Sequence, residues 1–134
     1  MNSKANIIII DDEQSIRETL KQFLLNCGHH VEVAPDLTRA RQLINNMTFD
    51  VAVVDRMLPG GEDGVDFMDE IKSKIPFCQV IMISAYPSYI SMAKSVAGHA
   101  QSYLEKPVEK AVFFKEIEKA LIAADKSKSN PVMN

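Results

Sequence analysis

Residues 51–64 read VAVVDRMLPGGEDG: four apolar residues, a lone acid at Asp55, then a loop rich in Pro and Gly. An unbroken apolar run that stops at a charge is the pattern of a strand buried on both faces. The same grammar recurs on either side. Ile7–Ile10 runs into Asp11-Asp12, and Val80–Ile83 runs into Ser84-Ala85. Shorter strands are expected over Val31–Ala34 and around Tyr103–Leu104.

Helical spacing fills the gaps between these strands. Ile16, Leu20, Phe23 and Leu24 predict a first helix, with Gly28 as its stop signal. Asp36 is the expected N-cap of a second helix through Leu37, Ala40, Leu43 and Ile44. Val65, Met68 and Ile71 predict a third, residues from about Ser88 to Ala97 a fourth, and Phe113, Phe114, Ile117, Leu121 and Ile122 a last one. From Asp125 onward the chain is polar and without period, so 125–134 is expected to be a flexible tail or the start of a linker. Five strands interleaved with five helices imply an α/β domain with a parallel sheet covered on both sides. Such sheets bind ligands beyond the carboxyl ends of their strands.

Composition narrows the function. The chain has 134 residues, 46% apolar and 25% charged, which suits one globular domain. A formal charge of −3 gives no basic footprint for direct nucleic-acid binding. No apolar run approaches the ~18 residues that would span a bilayer. MNSKAN lacks the features of a signal peptide. Cys27 and Cys78 stand far apart without a CxxC, so no disulfide framework or zinc site is expected. Both are expected to be small buried hydrophobes in a reduced, cytoplasmic setting.

Asp11, Asp12, Asp55 and Ser84 end strands, and Lys106 follows the last one, so all should meet at one sheet edge. Taken singly, each has a bland explanation: an N-cap, a turn residue, a solvated lysine. Together they make a chemical set. Crowded carboxylates raise one another's pKa unless a cation sits among them. Hard oxygen donors favour Mg²⁺ (or Mn²⁺), Lys106 adds a compact positive charge, and Ser84 a hydroxyl. Such a set suits phosphoryl chemistry, with Asp55, alone at the centre of the edge, as nucleophile.

IIIIDDE at 7–13, VAVVDRMLPG at 51–60, ISA at 83–85 and YLEKP at 103–107 resemble, in order and spacing, the signature blocks of the response-regulator receiver domain. The resemblance spans about residues 5–124 and places a receiver domain at 1–124. It implies a flavodoxin-like (βα)5 three-layer sandwich with strands in the order 2-1-3-4-5. Asp55 matches the phosphoacceptor, and Asp11 and Asp12 the acidic pair that positions Mg²⁺. Asp12, Asp55 and the backbone carbonyl of Met57 would be direct ligands. Ser84 and Lys106 match the hydroxyl and ammonium that contact the phosphoryl group. Ser84 and Tyr103 match the switch pair, and Lys106–Pro107 a peptide bond often cis. The family implies a bacterial two-component system in the cytoplasm. A sensor histidine kinase or histidine phosphotransfer protein is the expected donor, and homodimerisation through the fourth helix, last strand and last helix is a family-level expectation. It also implies a switch rather than a turnover enzyme, with no membrane or nucleic-acid contact by this domain.

The chain departs from the family pattern in three places. Pro59 and Gly64 enclose four residues rather than three. The Gly expected after the fourth helix falls on His99. Met57 and Tyr86, which flank the phosphoryl position, are bulky and lack a group to orient water, so slow self-hydrolysis is expected. Three rivals remain. A dehalogenase-type phosphatase wants a second Asp where Met57 stands, and a nucleotide or flavin module wants a Gly-rich turn where DDEQS stands. A receiver-like interaction domain that takes no phosphate stays open.

Overall fold

The computed structural model describes residues 4–58, 63–86 and 100–129. Five strands, β1 (Asn6–Ile10), β2 (His30–Ala34), β3 (Val51–Asp55), β4 (Gln79–Ser84) and β5 (Ser102–Glu105), form one sheet in the order β2-β1-β3-β4-β5. Every pairing is parallel. Among the described residues the helices are α1 (Gln14–Asn26), α2 (Leu37–Asn46), α3 (Gly64–Lys74) and a last helix at Lys110–Ser129. This is the flavodoxin-like arrangement that the resemblance implied.

The apolar runs of β1, β3 and β4 are buried because the sheet is covered on both faces, and each splits its side chains by the period of two. Ile8, Ile10, Ala52, Val54, Val80 and Met82 pack with α2 and α3. Ile7, Ile9, Val51, Val53, Ile81 and Ile83 pack with α1 and the last helix. Asp36 caps α2 by accepting the Arg39 N–H at 2.9 Å, and Gly28 ends α1 at φ 86°. Both match the sequence signals.

Two expectations are corrected. The last helix runs on to Ser129, through residues assigned to a tail. Lys128 holds that turn, with Nζ 2.5 Å from Asp50 Oδ1 and 4.7 Å from the Phe77 ring centroid. These tertiary contacts replace the missing apolar period. Cys27 is exposed rather than buried, because it sits at the C-cap of α1, past the last core-facing turn; Cys78 is buried as expected. The expected fourth helix, His99 and Pro59–Glu62 lie outside the described residues.

Candidate functional site

Parallel register brings the strand ends together. Ile10 pairs with Val54, Asp55 with Ile83 and Ser84 with Glu105, so Asp11, Asp55, Ser84 and Lys106 emerge side by side at one edge. Backbone bonds fix the levels: Asp11 N–H donates to Ala34 O at 3.1 Å, Arg56 N–H to Ile83 O at 2.9 Å, and Lys106 N–H to Ser84 O at 2.7 Å. The Lys106–Pro107 peptide bond is cis.

Lys106 is the hub. Its Nζ lies 2.8 Å from Asp11 Oδ2, 2.9 Å from Glu13 Oε1 and 3.2 Å from Asp55 Oδ2. Asp11 and Asp55 are buried, whereas the Glu13 side chain is 55% exposed. Asp11 Oδ1 accepts the Glu13 N–H at 2.8 Å, and Arg17 Nη1 donates to the Asp11 carbonyl at 2.8 Å. Asp55 Oδ1 accepts the Met57 N–H at 3.2 Å. Helix α1 begins after Glu13, so neither Asp11 nor Asp12 serves as its N-cap.

Charge is unbalanced here. Burial, reinforced by the Asp11 charge, pushes the Asp55 carboxyl from its ordinary 3.8 to about 6. Burial also raises Asp11, against the pull of the Lys106 ammonium. Burial alone would lower Lys106, but its bonds to Asp11 and Glu13 outweigh that and raise it above its ordinary 10.5. One ammonium therefore serves several acids, and the surplus is negative.

A divalent cation fits this surplus. One carboxylate oxygen each from Asp11, Asp12 and Asp55 lie within 4.8 Å of one another. Asp11 Oδ2 is buried and touches Lys106 without a well-directed hydrogen bond, so a lone pair remains for a cation. An all-oxygen donor set of this size suits Mg²⁺.

The Ser84 hydroxyl is buried and accepts the Tyr86 N–H at 3.0 Å. Tyr103 is half-buried on β5 beside Met82 and packs on the α2–α3 side. Met57 and Tyr86, two residues beyond Asp55 and Ser84, are both exposed, 47% and 57%. Arg56 pairs with Asp63, Met57 and Asp63 form an antiparallel bridge, and Gly64 N–H donates to Arg56 O at 2.9 Å; together these close the loop at its base. Gly64 is required for that closure, since a Cβ there would lie 2.5 Å from the Asp55 carbonyl oxygen. The sequence reading gathered Asp11, Asp12, Asp55, Ser84 and Lys106 correctly at one edge. It missed Glu13, whose signal was the third acid of DDE, and Arg17, which carried none.

Comparison with known proteins agrees with the geometry. The family model described as the response regulator receiver domain matches residues 7–118. A cyclic di-GMP phosphodiesterase of Thermotoga maritima is 35% identical over 102 residues, which cover 76% of this chain and 27% of that protein. The chain spans less than half the length of the curated relatives it matches. Among solved structures, a CheY-like receiver domain protein from Methanospirillum hungatei aligns with a TM-score of 0.84 at 28% identity, over 93% of this chain and 99% of that one. The beryllofluoride-activated NtrC4 receiver domain dimer aligns at 0.79 and 32% identity, over 92% and 99%. Among the described residues, no helix is long and apolar enough to cross a membrane.

Proposed function

Because the chain belongs to the response-regulator receiver family of two-component signalling, we propose that Asp55 accepts a phosphoryl group in a Mg²⁺-dependent reaction. The observation that carries this reading is the contact of Lys106 Nζ with both Asp55 and Asp11 inside a cluster of three aspartates. An Asp55 oxygen attacks phosphorus in line. The P–N bond of a phosphohistidine, or the P–O bond of a small acyl phosphate, breaks with its electron pair on the leaving imidazole or carboxylate. Lys106 orients the transferred group and offsets its charge, and burial excludes competing water. Asp12, Asp55 and the Met57 carbonyl would hold Mg²⁺, with Asp11 positioning it. When bound, the ion supplies the positive charge that one ammonium cannot.

The product is an aspartyl phosphate carrying roughly −1.5 to −2 of charge at neutral pH. Ser84 leaves its Tyr86 bond to reach a phosphoryl oxygen, and Tyr103 follows inward, which changes the face that includes β5 and the last helix. Such a switch acts by biasing two states, not by turnover. The donor is a sensor histidine kinase or a histidine phosphotransfer protein in the cytoplasm, and the readout is an output domain or partner. Val112 and Ile122, exposed on the last helix, support a homodimer through that face; an unchanged monomer mass after phosphorylation would refute it.

Acetyl phosphate with Mg²⁺, followed by intact mass measurement, tests the reading. One added phosphoryl group is expected, and none when the metal is chelated. Unlabelled protein under both conditions would favour an interaction domain that takes no phosphate.

A further inference from the structure

We propose that Glu13 is a displaceable counter-ion that holds Lys106 until a phosphoryl group arrives, and so restrains the rate of phosphorylation. This rests on the acceptor role proposed for Asp55. An ammonium has three hydrogens, and Lys106 faces three carboxylates: Asp11, Glu13 and Asp55. Glu13 and Asp55 take directed hydrogen bonds from it and Asp11 an ion pair, so an incoming phosphoryl oxygen has to compete with them for Lys106. Asp11 is fully buried and fixed by the Glu13 N–H, and Asp55 is the nucleophile itself. Glu13 is the one with more than half its side chain in water, so water can solvate its carboxylate once it lets go.

Its position supports the role. Glu13 is the N-cap residue of α1, with extended backbone at φ −87° and ψ 115°, yet its carboxylate makes no cap hydrogen bond. It reaches instead to Lys106, 93 residues along the chain. The backbone of Glu13 thus fixes Asp11 while its side chain takes up the lysine. Glu13 is a positioning residue, acting through Lys106.

The test compares labelling by acetyl phosphate with Mg²⁺ in the wild type, Glu13→Gln, Glu13→Asp and Glu18→Gln. Losing an exposed ion pair of this kind predicts labelling about two- to fivefold faster in Glu13→Gln. Glu13→Asp is one methylene too short to keep the contact and should behave alike. Glu18→Gln removes the same charge from the same helix, where Glu18 is bonded to Gln14 and not to Lys106, and should match the wild type. A second readout is equilibrium binding of beryllofluoride, a phosphoryl mimic, which should tighten by a similar factor in Glu13→Gln. Equal or slower labelling of Glu13→Gln beside a labelled wild type would overturn this proposal and leave the acceptor role standing, as would equal acceleration by Glu18→Gln. A wild type that neither labels nor binds beryllofluoride would overturn both.

Discussion

Replacing the acceptor should make the metal-free protein more stable. Asp55 is 5% exposed and shares one ammonium with Asp11, so its charged form is disfavoured in the folded state. The folded protein holds the Asp55 proton up to about 6, whereas an unfolded chain releases it near 3.8. Between those values the folded state binds more protons, so stability falls as pH rises through the window. Carrying a carboxyl from 3.8 to about 6 corresponds to roughly 3 kcal/mol, at about 1.36 kcal/mol per pH unit. Asn resembles the protonated acid in shape and charge. Asp55→Asn should therefore stabilise the protein by about 2–3 kcal/mol at neutral pH, and by little below pH ~4. Urea unfolding in chelator across that range reads the difference directly. Saturating Mg²⁺ should shrink it, because the wild type binds the ion better. A variant no more stable than wild type at neutral pH, or a gain that does not depend on pH, would refute the claim of an uncompensated negative cluster.

Three further outcomes are expected. Gly64→Ala places a Cβ 2.5 Å from the Asp55 carbonyl oxygen and 3.1 Å from Val54 and Met82. It should cost about 1–3 kcal/mol in urea unfolding and slow labelling, because relief must move either α3 or the acceptor. The aspartyl phosphate should outlive many seconds at neutral pH, since Met57 and Tyr86 offer attacking water no carboxylate or amide; release of phosphate within seconds would count against this. In the native protein one thiol should react quickly with a thiol reagent. That one is the exposed Cys27, while burial pushes Cys78 up to about 12 and keeps it inert until unfolding.

Most of the fold was legible because its three central strands are buried on both faces, which writes Ile7–Ile10, Val51–Val54 and Val80–Ile83 as unbroken apolar runs. Each run ends at the same sheet edge, so Asp11, Asp55 and Ser84 could be placed there from sequence alone. Edge strand β5 is only half-buried, and its signal is correspondingly short. What stayed hidden depends on partners distant in sequence. Nothing near Asp125–Ser129 announces a helix that Lys128 secures through Asp50 and Phe77. Glu13 reads as one more exposed acid until Lys106 is seen beside it. Cys27 shows the limit of residue statistics: its type favours burial, but its place at the end of α1 decides otherwise.

The most direct measurement of the central claim is chemical mapping of the acceptor. Protein treated with acetyl phosphate and Mg²⁺ is reduced with borohydride, which converts an acyl phosphate to an alcohol, and its peptides are sequenced by mass spectrometry. The expected result is reduction at Asp55 alone, absent from Asp55→Asn and from chelated wild type. Reduction at another acid, or persistence of the label in Asp55→Asn, would contradict the assignment of this sheet edge as a phosphoryl-accepting site.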